Sequence, residues 1–315
     1  MEQAIAIEDI GQRLKAFRLG AGLTPEELAS RAGVSRAAIY RYESGQPPKV
    51  DTLSKIADLL EVSLPTLLGA GVEYIASAVA FFERMRQLEE DVDQICVLFG
   101  PVSYLLTTDR FDETLPDVLR ESIPPDVADR DLSLRDINVL LDILKARKDQ
   151  FKRRAPSIVS LVSAAELDQY LRLGFIGSYA PPGVEIQDRR AVARIEIENI
   201  VRMLRAQPIG VQIGVVIDSM PGASFQLFRR ASTTSVAVSP FRLGAYANVR
   251  LGVATISSAA DAVSLYSTMT DQLWGRSLKG EQAAEFIEKN ILGKPVDPGR
   301  GESRSKPREP RIVEL

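Results

Sequence analysis

The sequence predicts two architectures in series: an all-α unit of five short helices, then a helical connector leading into an α/β (or α+β) domain. Three observations carry this. Residues 7–69 place apolar residues at helical spacing, punctuated by capping residues and glycines. Residues 73–99 repeat apolar residues by alternating fours and threes. Beyond residue 156, short β-rich runs alternate with helical ones. The expected divisions are 1–72 for the helical unit, 73–155 for the connector, 156–292 for the α/β domain and 293–315 for a tail. That tail is rich in Pro, Gly and charge and is expected to be disordered.

The first helix runs from about Ile7 to Leu19, with Ile10, Leu14 and Phe17 on one face, and Gly20 and Gly22 end it. Thr24 caps the second helix. Pro25 suits its first position, and Glu27 completes a capping box three residues after Thr24. Leu28 and Ala29 face inward. A turn at Ala32-Gly33-Val34 follows, and Ser35 caps a third helix from Arg36 to Ser44, stopped by Gly45. A fourth helix carries Leu53, Ile56, Ala57 and Leu60. Ser63 caps a short fifth with Leu64, Leu67 and Leu68.

In the connector, Tyr74, Ala78, Phe81, Met85, Leu88, Val92, Ile95 and Phe99 have the spacing of a coiled-coil seam, which makes this a candidate dimerisation helix. An amphipathic helix packed on its own domain has the same pattern. Ile95–Phe99 is also an unbroken apolar run stopped by Gly100-Pro101. The reading favoured is helix to about Asp91, then strand, with helix through 92–99 as the alternative. Further on, strand-like runs are Ser157–Val162, Ile209–Ile217, Phe225–Phe228, Val236–Val238 and Val249–Ile256. Helices are expected over Ala164–Leu173, over Asp188–Ala206 with Ile195, Ile200 and Leu204 inward, and over Ala260–Ile291.

Composition removes most enzyme chemistry. The chain has 315 residues, 45% hydrophobic and 26% charged, with no histidine and one cysteine. A Ser-His-Asp triad, a Cys-His pair, any zinc site containing His or built from Cys alone, and an iron–sulfur cluster all lack their residues. There is no GxxxxGK[ST] or GxGxxG loop, and Asp126, Asp129 and Asp131 lack the spacing of a calcium loop. No enzymatic activity, cofactor or metal is expected. The amino-terminal residues do not read as a signal peptide and no 18-residue apolar run exists, so a cytoplasmic protein without membrane contact is expected. The net charge of −3 places any nucleic-acid contact on a local basic face.

The stretch LTPEELASRAGVSRAAIYRYESGQ carries the functional signal. Two short capped helices joined at Gly33, pinned by Leu28, Ala29, Val34 and Ile39, form helix-turn-helix geometry, in which the second helix enters the DNA major groove. With its flanking helices, residues 7–69 closely resemble the Cro/C1-type (XRE) DNA-binding domain. The likeness runs through Ile10-Gly11, Arg18, Gly22-Leu23-Thr24, Glu27-Leu28-Ala29, Ala32-Gly33-Val34-Ser35, Ile39, Glu43-Ser44-Gly45 and the Leu53 to Leu60 helix. It covers about a fifth of the chain. The resemblance implies a recognition helix presenting Ser35, Arg36, Ala37, Ala38, Tyr40 and Arg41 to double-stranded DNA. Arg36 and Arg41 become candidates for guanine contact and the two alanines for thymine methyls. Arg18, Thr24, Ser35 and Lys49 are implied phosphate contacts. The chain departs from the family at Pro25, where a phosphate-clamping Gln is usual, and at Lys49-Val50, where a Ser or Thr cap is usual.

The resulting reading is a sequence-specific, one-component transcriptional regulator, acting as a homodimer, with a C-terminal domain for dimerisation and candidate small-molecule sensing. Arg229, Phe241, Arg242 and Tyr246 are a candidate pocket for an anionic or aromatic effector, with sheet core and surface as the alternative. The basic run Lys145, Arg147, Lys148, Lys152, Arg153 and Arg154 reads as a solvated helix face. A second reading is a protein-interaction or antitoxin-like module with secondary DNA binding. A third is a self-cleaving repressor, with Ala70-Gly71 as the scissile bond and Ser219 as nucleophile. That reading lacks an activating base, since no lysine lies between Lys152 and Lys279.

Overall fold

The computed structural model describes residues 7–46, 48–181, 183–244 and 246–293; the segment expected to be a disordered tail lies, from residue 294, outside them. Five helices open the fold: α1 (Ile7–Gly20), α2 (Pro25–Ala32), α3 (Arg36–Glu43), α4 (Val50–Leu59) and α5 (Leu64–Leu68). Their ends are set by local chemistry. The Thr24 hydroxyl accepts from the Glu27 amide at 3.2 Å while the Thr24 amide donates to the Glu27 carboxylate at 2.7 Å, closing the capping box. Ser35 and Ser63 cap α3 and α5, and Gly33 ends α2 at φ +72°, where a side chain would be strained. Leu14, Leu28, Ile39, Ile56 and Leu67 form the centre of this head.

Only Ala70 and Gly71 separate the α5 cap from β1 (Val72–Ile75), which is an edge strand of a mixed seven-stranded sheet. The remaining strands are β2 (Gln94–Leu98), β3 (Ser157–Ser163), β4 (Val211–Val216), β5 (Ser224–Arg229), β6 (Thr234–Ser239) and β7 (Ala254–Ser257), in the order β1-β7-β6-β5-β2-β3-β4. The β2-β3-β4 half is parallel and the rest antiparallel. Parallel neighbours need long crossovers. Here α7 (Asp109–Glu121) and α8 (Arg130–Arg154) join β2 to β3, and α9 (Ala164–Leu173) and α10 (Ile186–Ala206) join β3 to β4. Between β1 and β2 lies α6 (Ala78–Leu88). After β7 come α11 (Ala260–Arg276), α12 (Gly280–Ile287) and a π-helical turn over Glu288–Leu292. One sheet face joins the core built by α6–α10 and α12; the other packs under α11 through Leu98, Phe225, Leu227 and Leu273, with Tyr266 5.0 Å from the Phe225 ring.

The α/β expectation holds, with corrections. The 73–155 stretch is not purely helical, because it supplies β1 and β2. Its seam is not free to dimerise. Every residue of α6 except Arg86 is buried, with α1 on one side and α8 on another, and Phe81, Met85, Leu88, Val92 and Ile95 sit in the chain's own core. The helix stops at Leu88 rather than at about Asp91, while 94–98 is strand, as the favoured reading expected. The Val249–Ile256 run shortens to Ala254–Ser257, because Asn248 organises a turn around Leu251 and Gly252 sits at φ +134°. Ile195 is 37% exposed rather than inward, while Ile200 and Leu204 are buried. The expected final helix is broken between Arg276 and Gly280.

Head and sheet share one continuous core. A buried polar network reinforces the junction. Glu73 of β1 accepts from Arg13 of α1 at 2.7 Å and from Arg84 of α6 at 2.9 Å, twice. Gln87 of α6 accepts from Arg84 at 2.7 Å and donates to the Gln12 carbonyl at 2.9 Å. Burial pushes the Glu73 carboxyl up, but the Arg84 and Arg13 guanidinium groups outweigh that and hold it below its ordinary range.

Candidate nucleic-acid interface

The geometry of α3 follows from where its apolar residues fall. At about 100° per residue, Arg36, Ala37, Tyr40, Arg41 and Ser44 share one stripe. All five are solvent-exposed. Ala38, Ile39 and Tyr42 lie on the opposite side; Ala38 and Ile39 are buried and Tyr42 packs on the core. Ala38 is therefore not available to a base, contrary to the expectation: it falls on the inner face that holds α3 against α1 and α2.

The outer stripe is chemically ready for an acceptor-rich partner. Arg36 pairs with Glu26 at 2.6 Å, donates to the Tyr40 hydroxyl at 3.1 Å and lies 5.3 Å over the Tyr40 ring. Both ion-pair partners are largely exposed, so the pair contributes little and the guanidinium is free to exchange it. The Arg41 side chain makes no ion pair or hydrogen bond among the described residues, and Lys49 is equally exposed at the start of α4. At the start of α3, Ser35 engages the Ala38 and Ile39 amides, which leaves those of Arg36 and Ala37 for an anion. The start of α2 is less suited. Pro25 has no N–H, and the Glu27 carboxylate already occupies the Thr24 amide, so a phosphate beside Thr24 meets a negative charge.

Arg18 is not a phosphate contact. It is 5% exposed, and all three of its nitrogens are engaged. It donates to both Glu43 carboxylate oxygens, at 2.5 and 3.1 Å, and to the Leu23 carbonyl at 2.7 Å. Its role is to position α3. Glu43, quoted above only for the resemblance, was given no role there. An acidic residue in the last turn of a helix opposes the helix dipole, and here the buried Arg18 guanidinium offsets that. Gly11 completes the bracket: a Cβ there would lie 2.4 Å from the Tyr42 carbonyl oxygen.

The effector-pocket expectation fails on topology. Arg229 ends β5 opposite Gln94, at the start of β2, and donates to the Gln94 side chain at 2.8 Å. Arg242 follows β6 at the other end of the sheet, 3.5 Å from Glu166 beyond β3. Phe241 is fully buried and Tyr246 is exposed at φ +52°. The four do not converge. The basic run of α8 is likewise divided. Arg147 is buried in a two-pronged pair with Glu89 at 3.0 and 2.7 Å, and Lys148 is buried against Asp112 at 2.6 Å and Thr107. Lys145 and Lys152 remain exposed. Ser219 lies in an exposed turn after β4, beside an Asp218–Arg276 ion pair. No helix among the described residues is long and apolar enough to cross a membrane.

Comparison with known proteins points to the same segment. The helix-turn-helix family model matches residues 14–67. The HTH-type transcriptional repressor RghR of Bacillus subtilis (strain 168) is 35% identical over 91 residues, covering 28% of this chain and 67% of RghR. The cryptic phage CTXphi transcriptional repressor RstR of Vibrio cholerae serotype O1 is 31% identical over 84 residues, covering 26% of this chain and 75% of RstR. A crystal structure of the biofilm regulator SinR in complex with DNA is 38% identical over 19% of this chain and 97% of that chain, with a TM-score of 0.18. Most of this chain lies outside each of these alignments.

Proposed function

Since the chain belongs to the Cro/C1-type helix-turn-helix family of transcriptional regulators, we propose that it reads operator DNA through Arg36, Ala37, Tyr40 and Arg41. The observation that carries this is the division of α3 into a buried face and an exposed stripe holding both arginines. Arg36 and Arg41 donate to guanine edges, each worth about 1–3 kcal/mol of discrimination when bidentate. The free amides at the α3 start and the Lys49 ammonium take phosphates. One head spans only a few base pairs, so two copies act together on half-sites about 34–36 Å apart. The names of RghR and RstR as repressors support repression as the direction of control.

The test is selection of genomic fragments by the purified full chain near physiological salt, with sequencing of what is retained. Enrichment of a short inverted repeat is expected. Recovery of only diffuse, salt-sensitive fragments overturns the reading, because phosphate attraction alone carries no sequence information.

A further inference from the structure

We propose that Glu26 is a specificity-determining residue of the DNA interface, because it makes Arg36 selective for a guanine over a phosphate; this rests on the DNA-binding reading above. Glu26 is the second residue of α2, and its Oε1 stands 2.6 Å from Arg36 Nε at the start of α3. It makes no other ion pair or hydrogen bond among the described residues. The neighbouring Glu27, by contrast, is committed to the Thr24 cap. Arg36 Nη2 donates to the Tyr40 hydroxyl at 3.1 Å, and the guanidinium lies over that ring. Nε and one Nη2 hydrogen are thus engaged. The Nη1 hydrogens and the other Nη2 hydrogen remain, enough for O6 and N7 of a guanine. Arg36 is held between Glu26 of α2 and Tyr40 of its own helix, whereas nothing holds Arg41 in this way.

In water this pair contributes little, and Arg36 can leave it. Against DNA its two ways of finding a partner are not equal. A phosphate that draws Arg36 away strands the Glu26 carboxylate beside a polyanion. A guanine read through the remaining donors leaves the Nε contact in place, so Glu26 keeps its counter-ion while water is displaced. The carboxylate therefore weakens binding everywhere, but least where Arg36 meets a guanine. That is discrimination by penalising the wrong site. The rest of the α2 start fits this role. Pro25 has no N–H and the Thr24 amide is bonded to Glu27, so this helix start draws a phosphate weakly and leaves Glu26 to decide what Arg36 meets.

The experiment is fluorescence anisotropy of the full chain on three duplexes across a salt series. These are the selected operator, that operator with the base pair read by Arg36 changed, and an unrelated sequence. The base pair is identified as the one at which Arg36→Ala no longer discriminates. Glu26→Gln keeps the size of the side chain and removes its charge. It is expected to bind the unrelated duplex about three- to tenfold tighter, with the slope of log affinity against log salt steeper by about one, as Arg36 takes a phosphate. Its discrimination at the Arg36 base pair should fall about tenfold, within what one bidentate contact supplies. In the Arg36→Ala background the same substitution should leave discrimination at that pair unchanged. A merely structural role would instead lower the melting temperature and weaken all three duplexes in parallel. Unchanged discrimination in Glu26→Gln, a parallel loss on all three duplexes, or an equal effect with Arg36 absent overturns the proposal. A wild type that prefers none of the duplexes overturns the DNA-binding reading, and this proposal with it.

Discussion

Arg13 of α1 and Glu73 of β1 meet at 2.7 Å across the boundary between the DNA-binding head and the sheet, with side chains only 11% and 5% exposed. Arg84 closes on the same carboxylate from α6. Head and sheet are thus joined by a shared ion cluster as well as by shared apolar core.

Removing the shared charge should be costly. Glu73→Gln leaves Arg13 and Arg84 buried without their counter-ion, a loss of about 3–5 kcal/mol. Urea unfolding followed by circular dichroism should show a single transition in the wild type. The variant should shift its midpoint down or separate the head from the body. An unchanged midpoint would show that the cluster adds nothing to the junction.

The same carboxylate sets a pH dependence. Its folded-state value lies below its ordinary value of 4.5, so its contribution is present above that value. It is lost as pH falls from there through the depressed folded value. Denaturant midpoints measured from pH 7 to pH 3 should fall steeply below about 4.5. The slope should be shallower in Glu73→Gln, which has no proton to bind there.

The arginines of the head should separate by role. Arg36→Ala and Arg41→Ala are expected to weaken operator binding by about 1–3 kcal/mol each, with stability changed by less than about 0.5 kcal/mol. Arg18→Ala should do the reverse first: it strands the buried Glu43, costing about 3–5 kcal/mol of stability. Fluorescence anisotropy on the operator and thermal melts on the same preparations distinguish the two outcomes.

Gly11→Ala tests the bracket from its other side. The added methyl meets the Tyr42 and Glu43 carbonyl oxygens at 2.4 and 2.8 Å, so α3 must move relative to α1. Overpacking of this kind costs about 1–3 kcal/mol. Operator affinity should fall with it although Gly11 touches no DNA in this reading. Full affinity in a folded variant would refute the positioning role of this contact.

The parts of the structure that local chemistry decides were legible in the sequence. The capping box at Thr24, the Ser35 and Ser63 caps and the Gly33 turn each depend on residues within four positions of one another. The exposed face of α3 was implied by the family resemblance, and it included Ala38, which the structure buries. What failed was burial imposed from far away. Arg18 is expected at the surface until Glu43, 25 residues on, folds against it. Arg147 belongs to a basic run until Glu89 reaches it across 58 residues. The seam of α6 has dimer spacing, but spacing cannot say whether the covering surface comes from a second copy or, as here, from α1 and α8. Arg229 and Arg242 are close in sequence, and the β5-β6 hairpin sends them to opposite ends of the sheet.

The two-residue passage from α5 to β1 has a consequence for operator architecture. A flexible tether lets a head search for its half-site, with a reach that grows as about 5–6 Å times the square root of its length. Ala70 and Gly71 offer almost none of that reach, and the Glu73 cluster removes what remains. When two copies bind together, the separation and rotation of their recognition helices are therefore set by the bodies, as in a caliper with a locked screw. A single base pair inserted between half-sites turns one of them by about 35°, given about 10–10.5 base pairs per turn. The protein has no slack to follow it, so operator spacing should be read as strictly as operator sequence.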